Sequence, residues 1–126
     1  MNYSKTIING ILLLDKPKGL SSNRALGWTK KIFNAKKAGH AGTLDPLATG
    51  ILPILFGEAT KFAEFGLDSD KRYFADIYLG TKTSTGDVEG EVIEKKSFNK
   101  DINVVKILDS FIGMQYQLPP MYSALK

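Results

Sequence analysis

From Ala38 to Gly50 the chain reads Ala-Gly-His-Ala-Gly-Thr-Leu-Asp-Pro-Leu-Ala-Thr-Gly. Three glycines and a proline fall in this stretch, and it follows neither the 3.6-residue period of a helix nor the alternation of a strand. It is also too apolar for a solvated linker, so an ordered, functional loop is expected here, held between regular elements on either side. Upstream, Gly10-Ile-Leu-Leu-Leu-Asp15 is a short apolar run ended by Lys16-Pro17-Lys18-Gly19, which predicts a buried strand and a turn. Ser21 or Ser22 then caps a helix over residues 23–33, in which Ala25, Trp28 and Ile32 recur at helical spacing beside Leu26 and Phe33, leaving Lys30 and Lys31 to solvent. Downstream, Ile51–Phe56, broken by Pro53, predicts a second buried strand, and Ala59, Phe62, Ala63 and Leu67 mark a helix. Tyr73, Ala75, Ile77 and Leu79 alternate with Arg72, Phe74, Asp76 and Tyr78, the period of a strand with two differently used faces. Residues 81–90 read as a polar loop and Glu91–Lys95 as another strand. Ile102, Val105, Leu108 and Phe111 belong to a last helix, with Asp101 as its cap and Gly113 as its terminator. The order is mixed α/β, of the α+β kind, with no internal repeat.

At 126 residues, 43% of them hydrophobic, the chain is the size of one domain with a genuine core. It has no cysteine, which removes disulfides, thiolate metal sites and cysteine nucleophiles together. The apolar runs fall far short of the roughly 20 residues that span a bilayer, and the polar stretch Met1–Thr6 lacks the apolar core of a secretory signal. A cytoplasmic protein with no membrane contact is expected. The net charge of +4 is unevenly spread: residues 1–61 hold nine basic side chains against Asp15, Asp45 and Glu58, a net of +6, and the remainder carries −2. The basic half is the one to meet a polyanion, although lysines serve equally as solvated surface.

The loop concentrates one imidazole, His40, and one carboxylate, Asp45. On chemistry alone, Asp45-Pro46 also fits a helix N-cap followed by proline in the first turn, with Gly50 as terminator. His40 also fits a loop hydrogen-bonder, and Tyr73 also fits a core aromatic on its strand. The glycine pattern leading to Lys-Ser or Lys-Thr that cradles nucleotide phosphates is missing.

The segment Gly39-His-Ala-Gly-Thr-Leu-Asp-Pro-Leu-Ala-Thr-Gly-Ile-Leu-Pro53, continuing through Gly57-Glu-Ala-Thr-Lys61, resembles the catalytic motif of TruB-type tRNA pseudouridine synthases. The likeness extends upstream to residues 10–23 and downstream to Asp68-Ser-Asp-Lys-Arg-Tyr73, Leu79–Asp87 and Pro120–Lys126. It implies a pseudouridine synthase-like fold, a mixed, mostly antiparallel sheet flanked by helices, of which residues 1–126 form the N-terminal portion of the catalytic domain. The rest of that domain and any RNA-binding PUA domain are then missing. It further implies Asp45 as the catalytic aspartate that cleaves the C1′–N1 bond of a uridine flipped out of the TΨC loop of tRNA. Tyr73 becomes the tyrosine that packs on the uracil and takes part in proton removal from C5. His40 becomes the ring that accommodates the everted nucleotide, because an unstacked base needs planar surfaces. Lys61, Lys16 and the cluster Lys30, Lys31, Lys36 and Lys37 are candidate phosphate contacts. An isomerisation consumes and releases nothing, so no cofactor and no metal are expected, and the enzyme is expected to be a monomer.

Ala41 departs from the threonine usual after this histidine, which removes one hydroxyl near the RNA. The ending Gln117–Lys126 reads as a strand entered and cut. With the family's later arginine and apolar base support absent, this stretch alone is expected to be inactive. A noncatalytic tRNA-binding or folding module is the alternative.

Overall fold

Three apolar side chains on one strand organise the N-terminal part of the chain. In the computed structural model, which describes residues 4–99 and 101–116, the chain divides into two compact units, residues 1–72 and 73–126. The expected C-terminal strand lies outside the described residues.

In the first unit the order is β1 (Gly10–Lys16), α1 (Ser22–Ile32), β2 (Ala38–His40), β3 (Gly50–Phe56), a 3-10 helix (Gly57–Phe62) and α2 (Ala63–Leu67). Strand β3 is central: β1 runs antiparallel along one edge, pairing Gly10 with Phe56 through Lys16 with Gly50, and β2 pairs antiparallel on the other. Strand alternation puts Leu52, Ile54 and Phe56 on one face with Leu12 and Leu14 of β1, and there they meet Leu20, Ala25 and Ala35. Leu52 and Ile54 are fully buried, and burial of such a side chain stabilises by roughly 1.5–3 kcal/mol. The opposite face shows Ile11, Leu13 and Ile51 to solvent.

Proline at position 53 of a central strand needs explaining, since it has no N–H to donate. Its carbonyl accepts from Ala41 N at 3.0 Å, so its nitrogen also points toward the β2 side, where β2 has already ended. Towards β1, Pro53 stands opposite Leu13 and owes that strand no hydrogen bond.

Helix α1 begins as predicted, with the Ser21 hydroxyl accepting from Arg24 N at 3.3 Å. Its end is a Schellman turn: Asn34, in the left-handed region at φ 48°, donates from its N–H to Lys31 O, and Ala35 N donates to Lys30 O. The buried stripe differs from the predicted one. Ser22, Ala25 and Thr29 face the core, while Trp28 and Ile32 are exposed, Trp28 lying under the Arg24 guanidinium at 5.8 Å. Both stripes share Ala25 and helical spacing; the inward one is tolerated because each hydroxyl finds a carbonyl.

After β3, Gly57 sits at φ +56° where a side chain would collide with Asn9 Oδ1 and Ile8 O, which makes glycine obligatory there. The predicted helix over 58–67 forms as the 3-10 turn and the short α2.

The second unit holds β4 (Thr81–Thr83) paired antiparallel with β5 (Val92–Lys95), with a bulge at Lys82/Thr83, and α3 (Val104–Asp109). Asn103 caps α3 by accepting from Lys106 N at 3.0 Å, in place of the predicted Asp101. The strand predicted over 73–79 is not formed, and none of the unit's described residues is buried.

Candidate active site

The loop between β2 and β3 carries Asp45, and its placement begins with the segment before α1. Gly19 N donates to Pro46 O at 2.7 Å. Ser22 Oγ, buried at 3% exposure, donates to Leu44 O and accepts from Leu44 N, both at 2.9 Å. The residues on both sides of Asp45, Leu44 and Pro46, are thus tied to residues 19–22. Pro46 and Leu47 make a single turn closed by Ala48 N donating to Asp45 O at 3.0 Å, so Asp45 does not cap a helix. The Asp45 side chain is exposed, and no described group donates to its carboxylate, which leaves both oxygens available to a ligand.

His40, at the end of β2, is half-buried. Its Nε2 lies 3.2 Å from Asn23 Oδ1, so this nitrogen carries the hydrogen and donates, and Nδ1 is buried without a partner among the described residues. Both loop anchors and the histidine's partner therefore come from one stretch, residues 19–23, which turns into α1.

Lys16 is where the sequence expectation fails. It shares the parity of Leu12 and Leu14 on β1 and is fully buried, its Nζ donating to Leu20 O at 2.7 Å and Pro17 O at 3.0 Å. An ammonium committed to two carbonyls inside the protein is not a phosphate contact; it ties down the turn that supplies Gly19. Lys61 is exposed and paired with Glu58, whose carboxyl is held below its usual value first by the hydrogen bond from Lys61 and then by the nearby positive charges. Lys31, Lys36 and Lys37 are exposed, and Lys30 is half-buried. Ala41 is buried, and a Cβ on Gly66 would lie 2.6 Å from its own, so position 41 faces α2 instead of solvent. Tyr73 opens the second unit, in a stretch that is neither helix nor strand, and is exposed.

Sequence reasoning missed two residues here, Ser22 as the loop anchor and Asn23 as the imidazole's partner. The available signal was the tandem Ser21-Ser22, since a helix start needs one cap. Among the described residues no cluster of three or more metal-ligating side chains occurs, and no helix is long and apolar enough to cross a membrane.

Residues 30–126 match the family model for the N-terminal domain of TruB family pseudouridylate synthases. The tRNA pseudouridine synthase B of Blochmanniella pennsylvanica is 56% identical over 126 residues, covering 99% of this chain and 48% of that protein. The protein of the same name from Burkholderia mallei (strain NCTC 10247) is 53% identical over 98% of this chain and 41% of its own length. That from Shigella boydii is 55% identical over 94% of the chain and 38% of its own length. The chain therefore spans somewhat under half the length of these curated relatives. Among solved structures, a chain of a Cbf5–Nop10–Gar1 complex superposes with a TM-score of 0.62 at 29% identity, over 95% of this chain and 32% of that one.

Proposed function

The chain belongs to the TruB family of pseudouridylate synthases, and from that premise we propose that it is the N-terminal portion of the catalytic domain of an enzyme converting uridine 55 in the TΨC arm of tRNA to pseudouridine. The observation that carries the reading is Asp45: an exposed carboxylate with no competing donor, on a loop tied down at both neighbouring residues. Breaking the C1′–N1 bond develops positive charge at C1′, which a carboxylate stabilises or traps, and the same group serves as nucleophile or base elsewhere on the nucleoside. The freed uracil turns and rebonds through C5, the C5 proton is removed, and N1, no longer bonded to the sugar, takes up a proton in its place. Nothing enters or departs, so the balance of the reaction calls for no cofactor or metal.

In this reading His40 offers a planar surface to the everted nucleotide, its ring orientation held by Asn23. Tyr73 packs on the uracil and assists proton removal from C5. Lys61 and the exposed Lys31, Lys36 and Lys37 take phosphates, with Lys30 beside them. The enzyme works as a monomer, and a tRNA substrate implies a cytoplasmic protein.

The test is Asp45→Asn in the intact protein. Pseudouridine formation at position 55 drops by at least about a thousandfold, while tRNA binding stays within a few-fold of the parent. Pseudouridine formed at an undiminished rate would refute the assignment. A parent protein that binds tRNA in a salt-dependent way and never forms pseudouridine would instead be a noncatalytic binding module.

A further inference from the structure

We infer that Ser22 is a positioning residue for Asp45, a role that rests on the catalytic reading of that carboxylate. The side chain of Asp45 accepts nothing from the described residues, so where it points is set by its backbone alone. On its N-terminal side that backbone is fixed by a single atom: Ser22 Oγ both donates to Leu44 O and accepts from Leu44 N, at 2.9 Å each. A hydroxyl is the smallest side-chain group able to do both. Ser22 is itself buried, and the contact joins residues 22 apart in sequence. It is also not needed for the helix start, because Ser21 fills the cap of α1. On the C-terminal side, Gly19 N donates to the carbonyl of Pro46 at 2.7 Å. With Ser22 reduced to alanine, Leu44 loses its partner for both groups and only the second tie remains.

Thr29 supplies the control. It is a second buried hydroxyl on the same helix, but it donates within the helix, to Ala25 O at 2.8 Å, and among the described residues makes no hydrogen bond to the loop. The intact protein is compared as parent, Ser22→Ala, Ser22→Thr, Thr29→Val and Asp45→Asn. The readouts are single-turnover conversion at saturating tRNA, tRNA affinity, and hydrogen exchange at the Leu44 amide. Ser22→Ala lowers the conversion rate about 10- to 100-fold, as a misplacement near 1 Å does. It leaves affinity within about twofold and speeds exchange at Leu44. Ser22→Thr, which keeps the oxygen, recovers most of the rate, and Thr29→Val stays near the parent. A parental rate for Ser22→Ala beside an inactive Asp45→Asn overturns the positioning role and leaves the catalytic assignment standing. Equal losses of rate and affinity in Ser22→Ala and Thr29→Val overturn it too, as general damage to α1. An active Asp45→Asn brings down the catalytic reading itself, whatever Ser22→Ala does.

Discussion

Lys16 shows how a residue's type can mislead where its position informs. A lysine beside a proline-glycine turn, in the basic half of the chain, reads as solvated or phosphate-facing. Parity decides otherwise: two residues beyond Leu14 and four beyond Leu12, it must share their buried face once β1 exists. Burying an ammonium is costly unless its hydrogens are matched, and Leu20 O and Pro17 O match two of them. Lys16→Met is therefore expected to destabilise the protein by roughly 1–3 kcal/mol, the cost of stranding buried acceptors, as read from the midpoint of denaturant unfolding. An unchanged midpoint would show that the turn holds without the ammonium. The same reasoning explains α1: hydropathy selects Trp28 and Ile32 for the interior, yet Ser22 and Thr29 go there, because bonded hydroxyls cost little to bury. Asp45 and His40 were legible as a loop carrying an acid and an imidazole. Asn23 and Ser22 were not, since a partnership across the fold leaves no periodic trace in sequence.

Among the elements, β1, α1, β3 and β5 were legible from apolar runs and from capping and turn residues. Strand β2 was hidden in the loop because three residues gain strand form only from pairing with β3. The alternation at 73–79 shows the converse: it prepares a strand, but a ladder needs an adjacent edge, and none lies alongside among the described residues. In the β4–β5 hairpin, Asp87 organises the connection, its Oδ1 accepting from Thr85 Oγ1 at 2.6 Å and from Glu89 N at 2.9 Å. Those bonds, the Thr85 hydroxyl foremost, hold its carboxyl below the ordinary value. A depressed folded pKa contributes order that is fully present above the unfolded value, about 3.9, and is lost as pH falls through the folded one. Exchange protection at the Glu89 amide is accordingly expected to be level at neutral pH and to fall below about pH 4. In Asp87→Asn that acid-dependent component disappears. A parent profile that is flat down to pH 2 would count against the linkage.

At the scale of the molecule, the basic N-terminal half is the property most easily read in advance, and the exposed Lys31, Lys36 and Lys37 agree with it. If these three and Lys30 neutralise phosphates, replacing all four with glutamine flattens the dependence of log affinity for tRNA on log salt by about 3, at roughly 0.7–0.9 per contact. Titrations at several salt concentrations measure this, and an unchanged slope would assign the four to plain surface. The apolar residues Ile11, Leu13 and Ile51 on the outer sheet face could not be recognised from their type, which matches that of the core.

Pro53 has an effect beyond its own strand. Zipping β2 and β3 one step further would require a return hydrogen bond that an imino acid is chemically unable to give. The growth of that ladder therefore has a built-in stop opposite Ala41. The point where the chain peels away, and with it the length of backbone left over to present Asp45, is dictated by the covalent chemistry of the facing strand.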